Sequence, residues 1–377
     1  MAKLLTAALV ILLWCLGWCL DTASGLGAGA GDCPCSDPAL CNAIKTPPRK
    51  EVFAFWVGGA HWMKYDWTKL TTVVMFGSHY SAELMCHAHS KGVRVTLLGE
   101  FPVTNLSNVS DRSAWVLKQV DRAIQNHMDG INFDIEYPLN ESDAQYLTAL
   151  VEETSKAFHL AIPGSQVTYD VAWSPDCIDG RCYDYKGIAD SCDFLFVMSY
   201  DEQSQIFGPC IAMANSPYGK TAKGVEAFLK LGIPASQLVL GVPWYGYNYR
   251  CLSLSKADVC AIQHIPFRGA NCSDAAGRQL DYRGVVSLLM HNATGGRHYN
   301  TTYDAPYFNY KDATTDETHQ VWYDDPESLT TRYKYAQAMK LRGVGMWNAD
   351  SLDYSDDPTA RKLTKAMWDA IGKFFSP

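Results

Sequence analysis

The chain has 377 residues, of which 47% are hydrophobic and 19% are charged, a balance typical of a folded domain with a large core. Its formal net charge of −8 argues against the basic surface with which proteins follow nucleic-acid phosphates, so nucleic acid is not an expected partner. The length exceeds that of an average domain but lies within the range of a single (β/α) barrel.

The first thirty-one residues carry the pattern of a secretory signal peptide. Lys3 precedes an apolar run over 4–20, and small residues over 23–31 offer a cleavage site. We therefore assign 1–31 to the signal peptide and 32–377 to the folded part of the chain. An uncleaved anchor is the alternative, since the run approaches the length that spans a bilayer. No later segment is apolar for long enough to cross, and no membrane partner is expected once the signal is removed.

Glycosylation sequons and cysteines also indicate the secretory pathway. Asn-x-Ser/Thr sequons occur at Asn105, Asn108, Asn140, Asn271, Asn292 and Asn300. Thirteen cysteines less Cys15 and Cys19 of the signal leave eleven, so an oxidising compartment would pair most and leave at least one free. The groups Cys33/Cys35/Cys41 and Cys177/Cys182 are more typical of bridges than of metal ligands, and neither a metal nor a cofactor is expected.

Short runs rich in β-branched and aromatic residues alternate with amphipathic stretches, which is typical of βα units and a parallel sheet. Eight such runs lie at 52–56, 72–76, 93–98, 130–135, 167–173, 194–198, 238–242 and 344–347. Eight units predict a (β/α)8 TIM barrel, in which reacting groups lie at the carboxyl ends of the strands. The stretch from the seventh run to a helix near Pro326 is too long for a loop, and predicts a small inserted subdomain over about 246–321, between strand 7 and helix 7.

The fourth run carries the residues best suited to chemistry. Strand side chains alternate between faces, so Asn132, Asp134 and Glu136 share one face and the apolar residues between them share the other. We expect the apolar face to meet helices and the polar face to enter the barrel. Burial and a neighbouring negative charge favour the protonated form of a carboxyl, which suits Glu136 to give a proton to a glycosidic oxygen. A polar strand edge that faces water is the alternative.

Residues 129–136 read Asp-Gly-Ile-Asn-Phe-Asp-Ile-Glu, which resembles the Asp-Gly-x-Asp-x-Asp-x-Glu strand of glycoside hydrolase family 18, the chitinases and related enzymes. Later matches to the family lie at strand ends, in the segments 198–201, 241–246, 323–328 and 345–347. The resemblance covers roughly residues 50 to 375. It implies retaining hydrolysis of an oligosaccharide that contains N-acetylglucosamine (GlcNAc), assisted by the acetamido group of the substrate itself.

The same resemblance implies roles for individual residues. Glu136 would protonate the leaving oxygen, Asp134 would orient the acetamido N–H, and Tyr200 would hold the acetamido carbonyl. Trp347 would form the floor on which the sugar ring stacks, with filling of the barrel as the alternative. Asp201 would contact the sugar or the catalytic carboxyls.

Two positions depart from the family pattern. Asn132 stands where chitinases usually carry aspartate, so we expect the inner carboxylate pair to be lost, although the amide can still hydrogen-bond Asp134. The third run ends in 97–101 without the Ser-x-Gly-Gly common in chitinases. These departures resemble the lysosomal branch of the family, which splits GlcNAcβ1-4GlcNAc at the reducing end of chitobiose-core oligosaccharides from asparagine-linked glycoproteins.

Other outcomes stay open from the sequence. One is a secreted, endo-acting chitinase or endo-β-N-acetylglucosaminidase, which an open cleft with several aromatic subsites would favour. Another is an inactive chitinase-like lectin, against which the presence of both Asp134 and Glu136 argues. The residues themselves fit a lysosomal and a secreted enzyme equally.

Overall fold

The computed structural model describes residues 31–47 and 49–376, so nearly all of the predicted signal peptide lies outside the described residues. The first part of the chain alternates strands and helices, as the sequence predicts. The strands are β1 (Glu51–Trp56), β2 (Thr72–Met75), β3 (Arg94–Gly99), β4 (Gly130–Phe133), β5 (Gln166–Ala172), β6 (Phe194–Met198) and β7 (Leu238–Pro243). The helices are α1 (Ala82–Ser90), α2 (Val109–Gln125), α3 (Glu141–Ala161), α4 (Tyr185–Ser191) and α5 (Tyr218–Lys230).

An antiparallel sheet follows the seventh strand. The segment that forms this sheet contains β8 (Tyr245–Arg250), β9 (Ser253–Leu254), β10 (Cys260–Ala261), β11 (Gly277–Asp281), α6 (Tyr282–His291), β12 (Ala293–Asn300), β13 (Ala305–Lys311) and β14 (Thr318–Trp322). Five of these strands pair in the order β11-β8-β14-β13-β12, and β9 pairs with β10. The sheet occupies the stretch that was too long for a loop, while the bounds 246–321 of a separate subdomain stay a prediction.

The last part of the chain closes the barrel. It contains α7 (Pro326–Ala338), β15 (Gly343–Trp347) and α8 (Pro358–Ile371). Parallel pairing runs around the closed order β1-β15-β7-β6-β5-β4-β3-β2. All eight predicted runs fall on these strands, and the predicted (β/α)8 barrel is confirmed.

Aromatic rings fill the middle of the barrel. Phe53 and Phe55 of β1 lie 5.5 Å and 5.1 Å, centroid to centroid, from the ring of Phe196 on β6. A Cβ atom on Gly241 would lie 2.3 Å from the ring of Phe196, so only glycine fits there. This aromatic plug separates the polar groups at the carboxyl ends of the strands from the buried pair Gln166 and Thr72 at the opposite ends.

The strand that carries the family motif is shorter than predicted. β4 ends at Phe133 because its neighbour β3 ends at Gly99, whose carbonyl accepts the last rung from the Asp134 N–H at 3.2 Å. The Ile135 carbonyl instead accepts hydrogen bonds from the hydroxyls of Tyr169 and Tyr183, both at 3.0 Å. Ile131, Phe133 and Ile135 pack into the outer core beneath the helices, which confirms the expected outward face.

Five disulfides cross-link the described chain: Cys33–Cys41, Cys35–Cys86, Cys177–Cys182, Cys210–Cys272 and Cys251–Cys260. Cys192 is buried and unpaired within that part of the chain. The prediction of bridges for the two cysteine groups is confirmed. None of the described helices combines the length and apolar character that a membrane span requires.

Candidate active site

The deepest polar group of the site is Asn132, whose side chain is fully buried on β4. Its amide donates to Asp170 Oδ2 of β5 at 2.6 Å, and its oxygen accepts from the Thr168 hydroxyl at 2.6 Å. The expected hydrogen bond to Asp134 is wrong, because the amide points along the barrel wall to the neighbouring strand. Asn132 therefore fixes a carboxyl that the sequence did not single out.

Asp134 and Asp170 form a pair of acids at this end of the barrel, where Asp170 is buried and Asp134 is half-buried with its Oδ1 inaccessible. Burial raises the pKa of Asp134 well above its usual range, and the charge of Glu136 raises it further. Burial also raises the pKa of Asp170, followed by the charge of Asp134, against a hydrogen bond from Asn132. The carboxyl pair along the motif strand is absent, as expected with asparagine at 132, and Asp170 brings a second acid to this place from β5. Both side chains leave a buried Oδ1 without a hydrogen-bond partner.

Glu136 lies nearer the solvent than its place in the motif suggests. Its side chain is 48% exposed, and its Oε2 accepts a hydrogen bond from Nη1 of Arg181. The expectation of a buried Glu136 is wrong because the chain leaves the barrel after Phe133, before Glu136 is reached. Burial favours the protonated forms of Asp134 and Asp170, whereas Glu136 lies at the mouth of the site.

Two residues predicted from the sixth strand lie beside these acids. The buried Tyr200 has a pKa raised well above its usual range by burial and then by nearby acids, Asp170 first, so its hydroxyl stays neutral. Asp201 follows in a left-handed conformation with φ of 50°. It accepts hydrogen bonds from the hydroxyls of Tyr245 at 2.5 Å and Tyr247 at 2.9 Å, both on β8. The inserted sheet thus holds the loop that carries Tyr200.

Tyr200 and Asp201 open into a cavity of about 200 Å³. Glu136, Tyr200 and Asp201 line it on the barrel side, together with Trp173 and Arg181. Phe267, Ser273 and Asp274 line the other side and come from the segment between β10 and β11. Burial raises the pKa of Asp274 to about 7, followed by the charges of Asp201 and Asp179. A neutral tyrosine, acidic groups and exposed rings suit the hydroxyls and faces of a sugar.

Trp347 lies apart from this cavity. It is half-buried at the end of β15, with ring centroids 5.2 Å from Phe55 and 4.6 Å from Phe76. Of the predicted site residues, the structure therefore brings Glu136, Tyr200 and Asp201 together around one cavity. Asn132 and Asp134 lie deeper in the barrel end, and Trp347 lies on the side of β1 and β2.

A family model described as glycosyl hydrolases family 18 matches residues 96–351, which is more than half of the chain. The chain belongs to this family. It is 54% identical over 344 residues to the di-N-acetylchitobiase of Mus musculus, covering 91% of this chain and 93% of that protein. It is 51% identical over 348 residues to the di-N-acetylchitobiase of Homo sapiens, with coverages of 92% and 89%.

A solved structure agrees on the family 18 fold. The mutant class V chitinase from Nicotiana tobaccum in complex with NAG4 superimposes with a TM-score of 0.67 at 18% identity, covering 86% of this chain and 99% of that one. At this identity the likeness concerns the fold. The family match and the high-identity relatives show that the chain is a glycoside hydrolase of the chitobiase type.

Several groups of this family 18 site were missed by sequence reasoning. Asp170 lies within a predicted strand, two residues from Thr168 and from Ala172. Side chains at this spacing share one face of a strand, so Asp170 could have been predicted to point into the barrel. Arg181, Asp179 and Asp274 lie on loops, where no periodicity fixes the direction of a side chain. The proximity of Cys177 and Cys182 was the only local signal that the loop around Arg181 has a fixed shape.

Proposed function

We propose that this family 18 enzyme hydrolyses GlcNAcβ1-4GlcNAc at the reducing end of chitobiose-core oligosaccharides from asparagine-linked glycoproteins. The observation that carries the proposal is the arrangement of Glu136 at the cavity, with the half-buried Asp134 and the buried Asp170 behind it. The printed names of the relatives support the substrate class, since several are di-N-acetylchitobiases.

The proposed reaction is retaining and substrate-assisted. Glu136 gives its proton to the glycosidic oxygen as the bond from C1 to that oxygen breaks, and the acetamido oxygen of the same sugar forms a bond to C1. Water then opens the oxazolinium ion, and Glu136 takes up the proton of that water. Asp134 lies two residues from Glu136 and is buried below it, so it is poorly placed to attack C1 from the opposite face.

Asp134 and Tyr200 suit the acetamido group in complementary ways. The buried Oδ1 of Asp134 has no partner among the described residues and can accept the acetamido N–H. The neutral hydroxyl of Tyr200 can donate to the acetamido oxygen. Together they would aim that oxygen at C1. Trp347, at the end of β15 and outside the cavity that Glu136 lines, is proposed as the floor for the ring of the sugar that carries the acetamido group.

The wall contributed by the inserted segment supports action at a chain end. Cys272 is bridged to Cys210, and its carbonyl accepts from the N–H of Ile206 at 2.9 Å. The Asp274 N–H donates to the Gln203 carbonyl at 3.0 Å. This loop is therefore fixed at several points where it faces Glu136 across the cavity. A short, walled site beyond the acid favours a single leaving sugar over a long polymer.

We also propose a glycosylated enzyme of the lysosome, with secretion as the alternative. Asn108, Asn140, Asn271 and Asn292 are exposed, and Asn105 and Asn300 are half-buried. An acidic compartment suits the acids of the site, because it favours the same protonated forms that burial favours.

A time course at acidic pH tests the proposal with a GlcNAc tetrasaccharide labelled at its reducing end. Early label in single GlcNAc is expected from the wild type, and Glu136→Gln should slow release about 10²- to 10⁴-fold while binding persists. Glu153→Gln is a matched control, since Glu153 also pairs with an arginine, Arg112, at 2.8 Å. Early label in disaccharide would instead support the endo-acting alternative. Binding without turnover in the wild type would support the lectin.

A further inference from the structure

Arg181 is a buried cation in the wall of the active-site cavity. It lies on the loop between β5 and α4, and its side chain is only 8% exposed. Nη1 donates to Glu136, and Nη2 donates to Asp179 Oδ2 at 3.1 Å. Removing a guanidinium from water is costly, so its place beside the proposed acid needs a reason.

Neutralising charge alone does not provide that reason. Asp179 is itself largely buried, at 16% exposure of its side chain, and already gives Arg181 one counter-charge. Glu136 is half exposed and could be solvated by water without a partner. The second contact of Arg181 therefore reaches out to a group that does not require it for stability.

The loop is built to hold the guanidinium in place. The Cys177–Cys182 bridge closes a separation of only five residues around it. Cys177 and Asp179 both take left-handed conformations, with φ of 50° and 54°, which are unfavourable for non-glycine residues. Such conformations persist where the surroundings over-determine them.

Contacts to the motif segment fix the loop relative to Glu136. The Leu139 N–H donates to the Gly180 carbonyl at 3.0 Å, and the Tyr185 hydroxyl donates to the Arg181 carbonyl at 2.8 Å. The hydroxyl of Tyr183 donates to the carbonyls of Ile135 and Tyr137 on either side of Glu136. Acid and arginine thus belong to two segments that are pinned together.

We propose that Arg181 is a positioning residue that aims Glu136 at the glycosidic oxygen and stabilises the carboxylate that forms as Glu136 gives up its proton. The inference rests on the proposed role of Glu136. In the step concerned, the proton passes to the leaving oxygen, the C1–O bond breaks, and the acetamido oxygen bonds to C1. Glu136 is left as a carboxylate against the Arg181 guanidinium, which favours that charge.

The same contact should leave a signature in the pH profile of activity. The titratable groups that face Glu136 are Asp134, Asp170, Arg181, Tyr183, Tyr200 and Asp201. Arg181 is the cation in this set, so its loss makes the surroundings of Glu136 more negative. More negative surroundings oppose the release of a proton by a carboxyl, and we therefore expect loss of Arg181 to move the alkaline limb of activity to higher pH.

The test is the pH profile of kcat/KM for Arg181→Gln and Arg181→Lys on chitobiose. For Arg181→Gln we expect a loss of about tenfold at the acidic optimum and an alkaline limb about 1 pH unit higher. Arg181→Lys should restore part of the rate and shift the limb less. Arg112→Gln, which removes an equally buried arginine from Glu153, should leave the limb in place.

Asp179→Asn is an independent test with a shift in the opposite direction. Without Asp179, Arg181 keeps its ion pair with Glu136 but loses the one with Asp179, and the alkaline limb should move to lower pH. Should Arg181→Gln fail to fold, Asp179→Asn and Arg181→Lys still decide the matter. An unmoved limb in folded variants, checked by circular dichroism, would overturn the role of Arg181. Activity that survives in Glu136→Gln would instead overturn the proposed function.

Discussion

The interior and the mouth of the site handle charge in opposite ways. In the interior, Asn132, Asp134 and Asp170 lie at a barrel end without a cation among their hydrogen-bond partners, and burial favours the protonated acids. At the mouth, Glu136 lies on a loop, half exposed and paired with Arg181. The comparison teaches that burial at the end of the barrel favours protonated acids. The loops at the mouth instead hold the charged groups that would meet the substrate.

Asp134→Asn should break the interior side of the comparison with the largest effect. The change replaces one of the two carboxyl oxygens with an NH2 group and removes the ability to carry a negative charge, which weakens the acceptor proposed for the acetamido N–H while keeping the volume of the side chain. We expect kcat to fall about 10²-fold with little change in KM, because the contact matters most as the acetamido oxygen attacks. Steady-state kinetics on chitobiose at acidic pH measure this, and a rise in KM at constant kcat would contradict it.

Asn132→Asp should come next, as a loss of stability. It would place a second carboxyl against Asp170 Oδ2, which now accepts from the Asn132 amide at 2.6 Å. We expect the free energy of unfolding to fall by about 3 kcal/mol at neutral pH and by less at acidic pH, where both acids can be protonated. Calorimetry at the two pH values tests this, with the same change at the exposed Asn42 as control. Equal losses of unfolding free energy at neutral and at acidic pH would contradict this prediction.

The smallest effect concerns how stability follows pH. Burial raises the pKa of Asp324 to about 6, of Asp274 to about 7 and of Glu202 to about 8, besides the shifts in Asp134 and Asp170. Groups whose pKa is raised on folding hold extra protons in the folded state. Their stabilisation is full below the ordinary carboxyl pKa and is lost as pH rises through the raised values.

The melting temperature of the wild type should therefore fall as pH rises from about 5 to 8. Asp170→Asn should remove one titrating group and flatten the slope by at most about 1.4 kcal/mol per pH unit. Scanning calorimetry across this range checks both statements. A melting temperature that rises towards pH 8 would contradict the prediction that the acids of the interior hold extra protons in the folded state.

Local pattern was enough to predict the frame of the site. The eight barrel strands follow from runs of β-branched and aromatic residues, and alternation along 130–135 placed Ile131 and Phe133 against the helices. Asp134 directly follows the last residue of β4, whereas Glu136 lies three residues beyond it. These features depend on near neighbours in the sequence.

The charge state of the site could not be predicted in the same way. Asp170 reaches Asn132 across 38 residues, and Arg181 reaches Glu136 across 45. Where β3 stops decides that Glu136 leaves the barrel, and no residue of β4 carries that information. Pairings of this kind are set by how loops of different βα units meet.

The closure of the barrel bears on how the chain is made. β1 finds its partner β15 only when residues near the carboxyl terminus are available, whereas all five disulfides lie within 33–272. During synthesis, the cross-links that pin the cavity loops can therefore form while the barrel is still an open sheet. Oxidation errors at this stage would persist after the last strand is available, so the yield of active enzyme should depend on the redox poise of the compartment in which the chain folds.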